Sequence, residues 1–175
     1  MAVKAKKSVQ DFETAINEAA PYYIIFGYKQ NFGNVPKIVL VSISLEEVKD
    51  KMKAIINNEF CVPGCTYNAY EINSVSSGIV DIPLLLKMNE QSESDKTKLL
   101  ERIDKIQPLL FRIEETDKAG DALIFESSSV AETKAQSKEI MKAESADDSN
   151  SHKEYRIKIC VSNTDTFRTI CVFNK

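Results

Sequence analysis

Apolar residues recur at helical spacing in four segments of the chain, and each segment begins with a serine three residues before an acid. The serine hydroxyl can accept a hydrogen bond from a free N–H group of the first helical turn, and the acid complements the helix dipole. The pattern predicts three well-formed helices and a weaker fourth one, whose apolar stripe is thin. The four pairs are Ser8 with Asp11, Ser44 with Glu47, Ser92 with Asp95, and Ser129 with Glu132.

Runs of β-branched and aromatic residues lie between these helices and predict strands. The run from Lys37 to Ile43 is almost continuously apolar, which predicts a central strand covered on both faces. Pro83 interrupts another run and predicts an edge strand or a bulge, because proline has no N–H to donate. The predicted strands are Tyr22–Tyr28, Lys37–Ile43, Thr66–Val75, Ile79–Met88, Leu109–Glu115 and Ala122–Glu126.

Two alternating segments at the C-terminal end predict a β-hairpin over 154–162 and 167–174. Placing the aliphatic side chains on one face predicts the register in which Val161 lies opposite Ile170 and Ile159 lies opposite Val172. The same register sets Cys160 opposite Cys171.

Together these elements predict an α+β fold, with a largely antiparallel sheet, three to four helices packed mainly on one side, and the C-terminal hairpin. Residues 1–126 form the predicted core domain. Residues 127–153 are polar and lack aromatic residues, which predicts the weak helix followed by a flexible linker. The hairpin, 154–175, then docks on the same domain or on a neighbouring subunit. No internal repeat is expected.

The composition is that of an ordinary soluble domain, with 43% hydrophobic residues and a net charge of −3 over 175 residues. This balance gives no general case for nucleic acid, which requires a positive surface. The sequence has no stretch near the roughly 20 apolar residues that span a bilayer, and no secretory signal is recognised. We therefore expect a cytoplasmic or virion-associated protein with no membrane partner.

Catalytic chemistry finds little support in the sequence. The single histidine, His152, lies in a polar run with no apolar anchor, and glycine-rich phosphate-binding loops are missing. Adjacent acids such as Glu114 and Glu115 are more typical of solvated or capping charges than of a catalytic pair. These observations favour a non-enzymatic protein without a cofactor.

The four cysteines allow two interpretations. Cys61 and Cys65 could form a tetrahedral zinc site with Cys160 and Cys171, but the spacing does not offer two close pairs. The alternative is four ordinary thiols, and a reducing compartment disfavours a bond between Cys160 and Cys171. The sequence therefore favours no metal.

The interaction hypothesis has more support, because a proline-containing edge strand and a tethered hairpin are both elements that neighbouring subunits can engage. It predicts a structural or adaptor subunit of a larger assembly, such as a virion or phage accessory component, which binds other subunits or itself. The candidate contact residues are Ile82, Pro83 and Leu84 in the edge strand, and Tyr155, Ile157, Phe167 and Phe173 in the hairpin.

An alternative hypothesis is a module that binds single-stranded nucleic acid. Bases stack on aromatic side chains, and lysines follow the phosphates. The residues that would serve are Lys4, Lys6 and Lys7 in the basic N-terminal segment, with Tyr22, Tyr28 and Lys29 on the first strand.

Overall fold

A computed structural model describes residues 9–29, 35–59, 67–76, 79–87, 93–117, 119–146, 153–160 and 166–174. The described residues form four helices and eight strands. In chain order these are α1 (Val9–Glu18), β1 (Tyr22–Tyr28), β2 (Lys37–Ser42), α2 (Leu45–Ile56), β3 (Ala69–Ser76), β4 (Ile79–Lys87), α3 (Glu93–Asp104), β5 (Phe111–Asp117), β6 (Gly120–Ser127), α4 (Val130–Ala146), β7 (Glu154–Cys160) and β8 (Phe167–Asn174).

The chain folds into two compact units, and each contains one four-stranded antiparallel sheet. The contiguous unit is Pro21–Pro108, and its sheet has the strand order β2-β1-β3-β4. The split unit joins Met1–Ala20 to Leu109–Lys175, and its sheet has the order β6-β5-β7-β8. The predicted α+β class, with antiparallel pairing and a C-terminal hairpin, is confirmed. The division into units falls at different points from those that the composition suggested.

In the contiguous unit, helices α2 and α3 cover one face of the sheet. Apolar side chains of both helices pack with the inward residues of β1, β3 and β4 in one buried cluster. The inward side chains alternate along each strand, as the pleat requires. The buried members include Val48, Met52 and Ile103 from the helices, and Tyr23, Ile25, Tyr70, Ile72 and Leu84 from the strands.

In the split unit, α4 and α1 take the corresponding places, although α1 comes from the other end of the chain. Phe12 and Ile16 of α1 are fully buried, and the ring centroids of Phe12 and Phe173 are 5.8 Å apart. Phe173 also stacks on Tyr155 with 5.3 Å between the ring centroids. The N-terminal helix is therefore part of the core that the C-terminal hairpin completes.

The two units repeat one topology, so the expectation of a chain without internal repetition is wrong. In sequence, helix–strand–strand–helix–strand–strand occurs twice, and the two sheets have matching strand orders. The first helix of each repeat packs with the sheet of the other repeat, because α1 belongs to the split unit and α3 to the contiguous unit. Identical residues recur 85 positions later around the second helix of each repeat; among them, Ser42, Ser44, Glu47, Lys49 and Lys53 recur as Ser127, Ser129, Glu132, Lys134 and Lys138.

The first three of these residues form the same turn before α2 and α4. Before α4, the N–H of Glu132 donates to Ser129 Oγ at 3.2 Å, and the N–H of Ser129 donates to Ser127 Oγ at 3.0 Å. Ser127 Oγ in turn donates to the Glu132 carboxylate at 2.6 Å. The same three hydrogen bonds precede α2. The serine caps predicted for these two helices are therefore confirmed. The glutamate carboxylate accepts its hydrogen bond from the serine two residues before the cap, and not from the cap residue itself.

The two recurring lysines join the helices of each unit. Lys49 Nζ donates to the Asp104 carbonyl at 3.3 Å, and Lys53 forms an ion pair with the Asp104 carboxylate at 2.6 Å. This ion pair lowers the pKa of Asp104 and raises that of Lys53. In the split unit, Lys134 contacts Asn17 of α1, and Lys138 pairs with Glu13 of α1 at 2.5 Å. Lysines at equivalent positions thus bind α3 in the contiguous unit and α1 in the split unit.

One strand prediction is corrected, and one is confirmed. The strand β2 is an edge strand rather than a central one, and Ile38 and Val41 on it are more than half exposed. Its apolar run reflects an apolar outer face, not burial on both sides. Strand β4, which contains Pro83, is an edge strand with a bulge between Leu84 and Asp81, as the proline predicts.

The hairpin register also differs from the predicted one. Cys160 lies opposite Phe167, and Cys171 lies opposite Ile157, so the two cysteines do not face each other. A shift of register after Ile157 places Cys171 and Phe173 on the inner face. The aliphatic pattern alone did not reveal this shift, because the inner face here includes a thiol and an aromatic ring.

Candidate protein interaction surface

The outer face of the contiguous unit's sheet, which is the face opposite α2 and α3, is apolar and exposed. The exposed fractions of Ile38, Val80 and Leu85 are 62%, 57% and 50%. Large exposed apolar surfaces of this kind typically mark binding sites rather than solvated faces. We call this surface the apolar outer face; its members are Tyr22, Ile24, Phe26, Tyr28, Ile38, Val41, Val75, Val80, Ile82 and Leu85.

The same face of the split unit carries charges that pair with one another. Arg112 of β5 pairs with Glu126 of β6, and Lys158 of β7 pairs with Glu114 of β5. Arg156 of β7 lies 2.8 Å from the Glu154 carboxylate. Charges that are neutralised in this way suit a face that remains in contact with water.

Register positions allow the two faces to be compared pair by pair. Ile24 lies opposite Val41 at the position where the split unit pairs Arg112 with Glu126. The two pairs are equivalent because each follows directly after a pair that contains the repeated serine. These preceding pairs are Tyr23 with Ser42 and Phe111 with Ser127. One backbone pattern therefore supports an apolar pair in one unit and an ion pair in the other.

Asn73 lies at the centre of the apolar outer face. It is opposite Ile24 on β3, and the bulge of β4 that contains Ile82 and Pro83 lies beside it. The residue is only 6% exposed, and Asn73 Oδ1 is buried without a hydrogen-bond partner. A buried acceptor without a donor costs about 1–3 kcal/mol. The corresponding residue of the split unit, Lys158, has its partner in Glu114.

Tyr28 marks one end of the same face. Its hydroxyl donates to the Glu71 carboxylate at 3.0 Å across the pair of strands β1 and β3. Desolvation, followed by this hydrogen bond to Glu71, raises the pKa of the Tyr28 phenol above its usual value. Glu71 is the acid on the β3 part of this face, and Tyr28 holds its carboxylate in place.

We expect the Tyr28 phenol to titrate above the usual pH of about 10 for tyrosine. Because the folded state favours the neutral phenol, its stabilising contribution is complete below that pH and is lost as the pH rises through the folded pKa. Carbon-13 NMR of ζ-labelled tyrosine, assigned with Y28F, measures this titration. The control E71Q should move the pKa part of the way back toward 10, and an unchanged value in E71Q would contradict the part of the shift assigned to Glu71.

The interaction residues predicted from the sequence fall on both sides of the sheets. In β4, Ile82 is 53% exposed, and Pro83 is half-buried, while Leu84 is buried against the helices. In the hairpin, Phe167 is half-buried with its ring 3.8 Å from the Arg112 guanidinium carbon. The remaining three, Tyr155, Ile157 and Phe173, are buried in the core of the split unit.

The nucleic-acid candidates do not come together as a basic surface among the described residues. Tyr22 and Tyr28 lie on the apolar outer face, and Lys29 Nζ lies 5.9 Å from the centroid of the Tyr67 ring. The basic N-terminal lysines, Lys4, Lys6 and Lys7, lie outside the described residues.

The metal hypothesis concerns residues that the structure describes only in part. Of the four cysteines it involves, Cys61 and Cys65 lie outside the described residues, and so does His152, which was considered for catalysis. Within the parts of the chain that are described, no group of three histidine, cysteine, aspartate or glutamate side chains is placed to hold a metal ion.

Sequence reasoning missed the centre of this surface, which consists of Ile24, Phe26, Val41 and Asn73. A signal was present in Tyr22–Tyr28, where apolar residues occupy both alternating faces of a strand whose neighbours lie in an antiparallel sheet. In such sheets one face is normally polar, so a second apolar face indicates a contact surface.

None of the described helices is long and apolar enough to cross a membrane. Comparison of the chain with protein-family models, curated proteins and solved structures finds no match.

Proposed function

We propose that the protein is a non-enzymatic structural or adaptor subunit, and that it binds other protein subunits through the apolar outer face. The observation that carries this proposal is the contrast between two equivalent sheet faces. In the split unit, paired charges occupy the central strands β5 and β7 of this face and Leu123 is exposed near its edge, whereas the contiguous unit exposes aliphatic and aromatic side chains across all four strands. Burying such side chains against a partner contributes about 25 cal/mol per Å² of apolar surface.

The test copies the ion pair of the split unit onto the contiguous unit. The double variant I24R/V41E places Arg and Glu at the positions that Arg112 and Glu126 occupy in the other sheet. Because that sheet tolerates this pair, we expect the variant to fold, with an unchanged circular dichroism spectrum. We expect it to lose the complex that the wild-type chain forms in its native source, measured by sedimentation and mass spectrometry of the purified assembly.

The matched control is L123K in the split unit. Leu123 is 56% exposed and lies opposite Glu114, as Ile38 lies opposite Phe26 in the contiguous unit. L123K should therefore keep the complex, whereas I38K should weaken it. A folded I24R/V41E variant that retains every partner at wild-type stoichiometry would refute the proposal.

Binding of single-stranded nucleic acid is a second candidate, favoured by the outward position of Tyr22 and Tyr28 on the sheet. Stacking on such rings contributes about 1–3 kcal/mol per base. The described part of this face carries the acid Glu71, which opposes a phosphate backbone. Fluorescence anisotropy with a labelled oligonucleotide at low salt tests it, with Y22A as the variant. Salt-sensitive binding that Y22A weakens would support it, and no binding would remove it.

A further inference from the structure

We propose that the apolar outer face binds a second copy of this chain, so that two contiguous units pack sheet against sheet around a two-fold axis near Asn73. This inference rests on the proposed function and specifies the partner. It is carried by the unpartnered amide oxygen of Asn73, by the composition of the face and by its size.

Asn73 gives the strongest argument for a second copy. Its Oδ1 atom is buried and lacks a donor, and the residue lies in the middle of the face, opposite Ile24. A carboxamide carries both a donor and an acceptor, so two asparagines related by a two-fold axis can satisfy each other. A single asparagine within an apolar interface also fixes its register, as it does in coiled coils. Because Oδ1 is inaccessible in the single chain, this pairing requires the Asn73 side chain to rotate outward on docking, after which a two-fold axis near Asn73 supplies the missing donor from an identical residue.

The surrounding side chains suit a self-complementary contact. A two-fold interface requires one patch to pack against itself. Aliphatic side chains such as Ile38, Val80 and Leu85 surround the central amide and are at least half exposed in the single chain. Apolar groups pack with their own kind without any need for opposite charges, and stacked sheets of this type lie about 10 Å apart.

The size of the face meets the requirement of a stable dimer. Four strands at about 4.8 Å spacing, each with roughly seven residues at about 3.3 Å, give a projected area on the order of 400–450 Å². Two copies present about 800–900 Å² of projected area, and side chains make the accessible surface larger than its projection, which brings the buried total to roughly 1,200 Å². Stable protein interfaces bury about 1,200–2,000 Å².

The first experiment is sedimentation equilibrium of the purified full chain over about 1–100 µM, without any partner. We expect a mass twice that of the 19.7 kDa chain at the upper concentrations. I24R/V41E should remain monomeric, and L123K should dimerise like the wild type. N73D should raise the dimer dissociation constant at least tenfold, because like charges that face each other cost several kcal/mol.

A second measurement does not depend on charged substitutions. The rate of maleimide labelling at I38C, followed by peptide mass spectrometry, should fall severalfold as the protein concentration rises through the dimer range. The rate at L123C should stay constant. This comparison keeps the test decisive even where I24R/V41E fails to fold.

A wild-type chain that is monomeric at 100 µM would overturn the inference, and so would a dimer that L123K disrupts while I24R/V41E leaves it intact. Either result leaves the proposed function open to its own test. If the purified chain is monomeric and I24R/V41E still abolishes the native complex, the face binds a different protein. If the purified chain dimerises as described, the second copy is the partner.

Discussion

Removing residues 1–20 is expected to unfold the split unit and to leave the contiguous unit folded. Helix α1 supplies Phe12 and Ile16 to the core of the split unit, the turn after it adds Ala19, and all three residues are fully buried. Without them, the inner face of β5–β8 loses part of its apolar cover, and a sheet that lacks a packing layer has little independent stability. Two-dimensional NMR of the 21–175 fragment should therefore show dispersed amide signals for residues 21–108 only.

The matched control restores the helix at the other end of the chain. Residues 1–20, joined after Lys175 through a flexible Gly/Ser linker, should return the signals of β5–β8 to their wild-type positions. Amides of Phe111 and Ile157 that stay protected from exchange in the 21–175 fragment would contradict the structural role of α1.

Phe12→Ala is expected to lower the free energy of unfolding of the split unit by about 3–5 kcal/mol, which is typical for truncating a buried phenylalanine. Phe12 is fully buried, and its ring contacts that of Phe173. The loss therefore includes both the transfer of the ring to water and the cavity that remains. Because two units need not unfold together, native-state hydrogen exchange, which reports each unit separately, is the appropriate measurement.

Two controls locate the effect of Phe12→Ala. Glu18→Ala removes an exposed side chain from the same helix and should change the stability of either unit by less than about 0.5 kcal/mol. Ile103→Ala removes a buried side chain of α3 and should destabilise the contiguous unit instead. Equal destabilisation of both units by Phe12→Ala would show that α1 is not specific to one sheet.

Much of the secondary structure could be predicted, because periodicity and capping are local properties of the sequence. The apolar stripe after Ser44 predicts helix α2, and Pro83 predicts the bulge and the edge position of β4. Periodicity states which side of a helix is apolar, but it does not state which sheet will cover that side. For this reason, the apolar stripes of α1 and α3 do not reveal that each of these helices packs with the sheet of the other repeat.

The thin apolar stripe of α4 predicted a weak helix, and the reason for its thinness is a different one. Thr133 and Ser137 are fully buried, at positions that correspond to Val48 and Met52 of α2. Each hydroxyl donates to the carbonyl four residues earlier at 2.8 Å, so burial leaves no unpaired polar group. A hydroxyl that is satisfied within its own helix can act as a core residue, and hydrophobicity alone counts it as exposed.

The candidate surface was only half predictable from the sequence. Ile82 was predicted as a protein contact, and Tyr22 and Tyr28 were predicted only as nucleic-acid contacts, while Leu84 and three of the hairpin candidates face the cores. The contrast between the two outer faces requires the registers of both sheets, since Ile24 is recognised as the counterpart of Arg112 only through its pairing.

The separation of α1 from its sheet also sets an order of events during synthesis. At about 5–20 residues per second, the ribosome needs roughly 8–30 s to proceed from α1 to the end of β8. During that time β1–β4 and α3 can complete their unit, while the apolar side of α1 has no final partner. Its docking closes a loop of most of the chain, so we expect it to be the last and slowest step of folding, and the one at which a chaperone would be most useful.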